Sequence, residues 1–143
     1  AAGPGPVYQR SAPVAFEAAY QRVYEALEAR RFWVIFEARI SDNIGRFAER
    51  WGEDYNRNDL TGIRSMLVCN PWYTNQIGNA DPAMLALCPL RVVVIGEGET
   101  SRALFARPTV PAADSPAREV LAEVEGEIIA AIDAALGDGD PGP

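Results

Sequence analysis

The chain of 143 residues contains no histidine and no lysine, because all thirteen basic residues are arginine. Without histidine there is no Ser–His or Cys–His dyad, and the commonest ligand for zinc and iron is missing. Without lysine there is no Schiff-base nucleophile and no Walker lysine to bind a nucleotide phosphate. Catalysis would fall to carboxylates, tyrosines or the two cysteine thiols. The composition therefore favours a non-enzymatic domain.

The charge and the length limit the class of protein further. A net charge of -7 argues against a nucleic-acid partner. No apolar run approaches the roughly 18 residues that a membrane span needs. The length fits a single domain, expected at residues 7–136, between flexible tails at 1–6 and 137–143. The first residues, AAGPGP, are typical of the start that remains after a signal peptide has been cleaved, although trimming would leave the same residues. This start predicts a periplasmic or secreted protein.

Hydrophobic periodicity predicts the element order β-α-β-α-β-α-β-β-α. The strands are expected at residues 7–10, 32–40, 62–69, 91–95 and 101–106. Helices are expected at residues 14–30 and 41–51, as two short pieces within 71–86, and from Asp114 or Ser115 to Leu136. The loop GEGET predicts a hairpin between the last two strands. This order indicates an α+β fold with a mostly antiparallel sheet and long helices packed on one face.

Both cysteines and both methionines lie in one stretch, SMLVCNPWYTNQIGNADPAMLALCP, at residues 65–89. On a strand, Met66 and Cys69 point to opposite faces, so Met66 is expected in the core. On a helix, Met84 and Cys88 would share a face. Because consecutive strands are usually neighbours, we expect Cys69 and Cys88 to lie close together in space. Cys69, Met84 and Cys88 then form a soft-ligand set suited to Cu(I).

Three interpretations of the two cysteines stay open at this point. In an oxidising compartment, Cys69 and Cys88 form a structural disulfide. As free thiols, they pack as small apolar side chains. Together with Met84, they bind copper or a reduced sulfur species.

The residues that follow Cys69 have structural and functional interpretations. Asn70 is expected to cap a helix that has Pro71 at its first position. Asn70, together with Trp72 and Tyr73, is also expected to line a pocket or to anchor a dimer interface.

Several segments resemble a known bacterial and archaeal family, the domain of unknown function 302. These are EALEARRFWVIFEARI (25–40), CNP (69–71), ADP (80–82), LCPLRVVV (87–94) and RPTV (107–110). The resemblance implies a TBP-like α+β fold, often a homodimer, with no established enzymatic activity. The family usually carries its second cysteine after the proline, whereas here Cys88 precedes Pro89 and Leu90 takes the usual place.

Together these observations favour a non-enzymatic, exported accessory or binding domain, expected to be a homodimer. Its ligand would be a soft metal such as Cu(I), or a reduced sulfur species, held by Cys69, Cys88 and Met84. One alternative is a disulfide-stapled dimeric interaction domain that binds a periplasmic protein and no small ligand. The other is a thiol-dependent redox or sulfur-transfer enzyme.

Overall fold

The computed structural model describes residues 5–137, so most of both predicted tails, residues 1–4 and 138–143, lies outside the described residues. The strands are β1 (Val7–Ala12), β2 (Trp33–Ala38), β3 (Gly62–Cys69), β4 (Leu90–Glu97) and β5 (Thr100–Ala106). The α-helices are α1 (Phe16–Ala29), α2 (Ile40–Gly45), α3 (Ala48–Trp51), α4 (Pro71–Ala80) and α5 (Arg118–Leu136). Two short 3-10 helices lie at Gly52–Asp54 and Pro82–Leu87.

The five strands form one sheet in the order β1-β5-β4-β3-β2, and every neighbouring pair is antiparallel. Helices α1 and α5 pack against each other and against the same face of this sheet. Between the two layers lies a core of fully buried side chains, among them Leu27, Phe32, Phe105 and Ile128. The predicted α+β fold, with long helices on one face of an antiparallel sheet, is therefore confirmed.

Helix α1 ends in a Schellman motif that directs the chain into β2. The backbone N–H of Phe32 donates to the Leu27 carbonyl and that of Arg31 donates to the Glu28 carbonyl, both at 2.9 Å. This motif places Arg31 in the left-handed region, with φ at 67°, where glycine is the usual residue. The turn inserts the Phe32 ring into the core, where it is 1% exposed.

The single helix predicted at residues 41–51 is divided into α2 and α3. The Ser41 hydroxyl does not cap a helix. It accepts a hydrogen bond from the Ile63 backbone N–H at 3.1 Å and donates to the Ile63 carbonyl at 3.2 Å. The Ser41 hydroxyl thereby satisfies the backbone groups of Ile63 on β3 that β2, which ends at Ala38, no longer reaches. The chain after β2 therefore stays beside β3. The rings of Phe47 and Trp51 still stack as helical neighbours, 4.9 Å apart.

Helix α5 begins at Arg118, later than the predicted Asp114 or Ser115. The Ser115 hydroxyl donates to Asp81 Oδ2 at 2.6 Å and accepts from the Ala117 backbone N–H at 3.0 Å. Ser115 therefore ties the turns before α5 to the segment that carries the second cysteine.

A protected ion pair joins the end of the sheet to α5. Arg107 and Glu125 lie 3.1 Å apart, and their side chains are only 17% and 13% exposed. Glu125 also accepts hydrogen bonds from the backbone N–H and the hydroxyl of Thr109, at 3.2 and 2.7 Å. Arg107 in turn donates to the carbonyls of Pro6 and Gly5, which ties down this part of the predicted N-terminal tail.

Candidate thiol site

Cys69 is the last residue of β3, and its cross-strand partner on β2 is Trp33. Side chains alternate along a strand, so Met66 and Val68 point to the helices while Leu67 and Cys69 point to the opposite face. Met66 is fully buried in the core, as predicted, and Cys69 is half-buried. The structure therefore separates Met66 from Cys69.

Asn70 holds the connection from β3 to α4 rigidly. Its side-chain oxygen accepts a hydrogen bond from the Tyr73 backbone N–H at 3.1 Å, with Pro71 at the first helical position, as predicted. Its side-chain amide donates to the Arg31 carbonyl at 3.1 Å. The cap of α4 is thus anchored to the turn that ends α1.

Thr74, in the first turn of α4, brings the two cysteines together. Its hydroxyl lies 3.5 Å from Cys69 Sγ and is near enough to Cys88 to oppose the rise in the pKa of that thiol. The same hydroxyl donates to the Asn70 carbonyl at 3.1 Å, so its lone pairs remain available to accept from S–H groups. When a thiol ionises, the hydroxyl can rotate and donate to the thiolate instead. Both cysteines are free thiols in this arrangement.

Cys88 reaches Thr74 because β3 and β4 are adjacent. The register pairs Val68 with Leu90, which places Cys69 and Cys88 at the same end of the sheet. Burial raises the pKa of the Cys88 thiol, the hydrogen bond with Thr74 opposes that rise, and the nearby Cys69 adds to it. Cys88 therefore stays protonated to a higher pH than an ordinary cysteine.

Met84 lies on the 3-10 helix Pro82–Leu87, and Cys88 follows directly after that helix. The helix is not α-helical, so the predicted shared α-helical face does not exist. Met84 and Cys88 nevertheless pack against the same small apolar cluster, whose centre includes Ile77 and Leu121. The structure thus brings both cysteines near Thr74 and packs Met84 and Cys88 against one apolar cluster.

Trp72 and Tyr73 lie on a different side of α4. The Tyr73 ring stacks on Phe32 with centroids 5.8 Å apart, and its hydroxyl donates to Glu123 of α5 at 2.7 Å. This hydrogen bond and partial burial raise the pKa of Tyr73 to about 12. Trp72 is 64% exposed and lines a shallow cleft of about 230 Å³ over α5. Tyr73 therefore has a packing role, and the two residues are not ligands of the thiol site.

A second cleft, of about 280 Å³, opens beside Cys88. Leu87 and Pro89, the chain neighbours of Cys88, line this cleft. Its surface is mostly apolar but includes two arginines. The lining residues are Ala86, Leu87, Pro89, Leu90, Arg91, Ala106, Arg107, Pro108 and Pro111. A small ligand can therefore approach the segment that carries Cys88 from the solvent.

The ligand set at the site is small. Among residues 5–137, no three side chains of the types His, Cys, Asp and Glu cluster as a metal site requires. A four-coordinate zinc site therefore does not fit the described residues. Within the same residues, no helix has the length and apolar character to cross a bilayer.

Comparisons with known proteins agree on the family and are silent on activity. The family model "Domain of unknown function DUF302" matches residues 8–135. No curated protein matches the chain. A crystal structure of an uncharacterized conserved DUF302 protein from Bacillus stearothermophilus superimposes with a TM-score of 0.79 at 20% identity, covering 92% of this chain and 99% of the other. At that identity the likeness concerns the fold alone.

Proposed function

The chain belongs to the DUF302 family, as its sequence resemblance predicts, and we propose that it is a non-enzymatic accessory domain that binds Cu(I) through the thiols of Cys69 and Cys88. The observation that carries this proposal is the convergence of both cysteines at one end of the β3–β4 pair, beside the Thr74 hydroxyl, which lies 3.5 Å from Cys69 Sγ. Two cysteines, nineteen residues apart in sequence, converge there from a strand end and from the start of the next strand.

The chemistry of the donors favours a soft, low-coordinate ion. Thiolates prefer Cu(I) over hard cations, and a thioether such as that of Met84 has the same preference. Binding of one Cu(I) by two thiols releases two protons and forms two copper–sulfur bonds. Because each released proton couples affinity to pH, the apparent affinity should rise about tenfold per pH unit for every thiol that is still protonated.

A thiol enzyme is less well supported by the same geometry. Nucleophilic cysteines need a lowered pKa, which helix N-termini, basic side chains or metals provide. For Cys88, burial raises the pKa. A metal ion can displace the proton of such a thiol, whereas a redox or sulfur-transfer reaction requires a free thiolate.

The proposal is tested by anaerobic competition for Cu(I) against the chromophoric chelator bicinchoninate, with reduced protein. We expect wild-type protein to withdraw one Cu(I) per chain, and Cys69→Ser and Cys88→Ser each to lose this ability. Thr74→Val keeps both thiols and should weaken binding without abolishing it. Equal copper uptake by wild type and by the two serine variants would overturn the proposal.

Met84 needs its own control because a methionine change also alters packing. Met84→Leu should weaken Cu(I) binding if the thioether is the third ligand. Met66→Leu is the matched variant: it removes a thioether from the core, on the opposite face of β3 from Cys69. If the two variants bind Cu(I) equally well, Met84 is not a ligand and the site consists of two thiols only.

The second candidate function is a disulfide-stapled interaction domain that works as a homodimer in the periplasm or outside the cell. It is supported by the proximity of the two thiols and by apolar side chains on the helix-free face of the sheet. The number of free thiols before and after reduction separates the candidates. If free thiols are detected only after reduction, and the reduced protein has no affinity for Cu(I), the result would favour this second function.

A further inference from the structure

The cleft beside Cys88 has mostly apolar walls and a size that suits a small molecule. Its volume of about 280 Å³ is space for about nine water molecules, at roughly 30 Å³ each. Seven of its nine lining residues are alanine, leucine or proline, and the other two are Arg91 and Arg107. The rings of Pro89, Pro108 and Pro111 are rigid, so much of the wall is in place before a ligand enters. The cleft therefore fits a small molecule with an apolar body.

The two arginines of the cleft differ in how far their charge is compensated. The Arg107 guanidinium pairs with Glu125 at 3.1 Å and donates to the Gly5 carbonyl at 3.0 Å. It also lies over the Tyr8 ring, 5.5 Å from the ring centroid. Arg91 is exposed, and the ion pairs among residues 5–137 all involve other arginines. Arg91 therefore supplies the positive charge that a ligand in the cleft can meet.

Apolar side chains surround Arg91 on the sheet. Leu90 and Val92, on either side of it, pack into the core, so Arg91 points to the face of the sheet without helices. Its cross-strand partner on β3 is Leu67, and Ala106 lines the cleft with it. None of these side chains can accept a hydrogen bond from the guanidinium. Because apolar surroundings lower the local dielectric constant, Arg91 should hold a carboxylate more strongly than an arginine surrounded by water does.

We propose that this cleft binds a small monocarboxylate with an apolar body. The planar guanidinium of Arg91 offers parallel N–H groups that match the two oxygens of one carboxylate. The apolar body packs against the leucine and proline walls. One uncompensated cation matches one negative charge, whereas a phosphate monoester would bring up to about two. The site is independent of the proposed copper function, because Cys69, Cys88 and Met84 do not line the cleft.

The cleft over α5 provides an internal comparison. It has a similar volume, about 230 Å³, but two carboxylates, Glu119 and Glu123, line it. This local negative charge repels a carboxylate ligand, and the net charge of -7 disfavours anions over the surface as a whole. We therefore expect a small acid to bind beside Arg91 and not in the cleft over α5.

Titration with phenylacetate, followed by amide NMR spectra of isotopically labelled, reduced and metal-free protein, tests the proposal. We expect saturable shifts at the non-proline amides of residues 86–91 and 106–107, and no shifts at residues 119–123. Phenylacetamide has nearly the same shape without the charge, so it should bind at least about tenfold more weakly. Phenyl phosphate should bind no more tightly than phenylacetate.

Three variants locate the source of the affinity. Arg91→Gln should weaken phenylacetate binding by about tenfold or more and leave the binding of phenylacetamide unchanged. Arg22→Gln removes another exposed arginine, on α1, and is the matched control that should change neither. Ala106→Phe should fill the cleft and abolish the binding of both compounds, with the circular dichroism spectrum showing that the variant is folded.

Several results would contradict this assignment. The absence of saturable shifts at millimolar phenylacetate would overturn the proposal, as would saturable shifts that lie only outside the cleft. Equal affinities of wild type and Arg91→Gln, or of the acid and the amide, would refute recognition by Arg91. Tighter binding of phenyl phosphate would refute the carboxylate ligand. Because the protein carries no copper in this experiment, a negative result leaves the copper proposal to its own test.

Discussion

Replacing Arg31 with glycine should stabilise this protein, although it removes a side chain. Arg31 has a φ of 67° in the Schellman motif that ends α1. A Cβ atom in that conformation costs roughly 1–2 kcal/mol, and glycine avoids this cost. Glycine also gives the unfolded chain more freedom, which offsets about 0.5–1 kcal/mol of the gain. The net expectation for Arg31→Gly is a stabilisation of about 0.5–1 kcal/mol.

Urea denaturation followed by circular dichroism measures this change. With a typical m-value, the midpoint should rise by about 0.4 M, and the melting temperature by about 3 °C. Arg31→Ala removes the guanidinium but keeps the Cβ atom, so it should change stability little. Arg30→Gly is the matched glycine control, because Arg30 has a φ of -101° and gains nothing from glycine.

The reasoning depends on the difference between these variants. If Arg31→Gly is no more stable than Arg31→Ala, the left-handed conformation is not the source of strain. If Arg30→Gly stabilises as much as Arg31→Gly, the gain does not come from the Schellman position. The Asn70 side-chain amide donates to the backbone carbonyl of Arg31, which a glycine also provides. Arg31→Gly should therefore leave copper binding unchanged.

Three other predictions concern the packing and the ion pairs. Ile128→Ala, in the core under α5, should cost roughly 2–5 kcal/mol in unfolding free energy. Glu125→Ala should lower the unfolding free energy by about 3 kcal/mol or more, because it leaves the mostly buried Arg107 without its ion-pair partner. Glu127→Ala is the control: its ion pair with Arg30 is exposed, with Glu127 43% exposed, so the loss should be less than about 1 kcal/mol. The raised pKa of Tyr73, about 12, means that its contribution to stability is intact below about pH 10 and is lost as the pH rises through 12. This loss is measured by the denaturant midpoints of wild type and Tyr73→Phe between pH 9 and 12, a range in which no lysine titrates because the chain has none. If the two midpoints change with pH in parallel, the prediction is wrong.

Much of the fold follows from local pattern. The strand predicted at residues 62–69 has those bounds in the structure, and Asn70 caps α4 as expected. The stripe in α5 is buried, with Val124 to Leu136 in the main core and Leu121 in the smaller apolar cluster beside Ile77. These elements have strong periodicity or clear capping residues, so their sequence alone defines them.

The rest depends on contacts between distant segments. Ser41 and Ser115 both have helix-capping chemistry, yet each bonds a remote partner, Ile63 or Asp81. Because consecutive strands are usually neighbours, the sequence predicted that Cys69 and Cys88 lie near each other. It did not indicate that Thr74 contacts Cys69; the only hint was the position of Thr74 one turn after the Asn70 cap. Residues 91–95, RVVVI, place apolar side chains on both faces of β4, so their pattern did not show which of these side chains face the helices.

Copper K-edge X-ray absorption on the reduced protein, loaded with one equivalent of Cu(I), tests the central claim most directly. The account predicts a first shell of sulfur only, with two scatterers, or three if Met84 binds. Cys88→Ser should lose that shell, while Met66→Leu should retain it. A first shell of oxygen or nitrogen, or a sulfur shell that persists in Cys88→Ser, would contradict the assignment of Cys69 and Cys88 as a copper site.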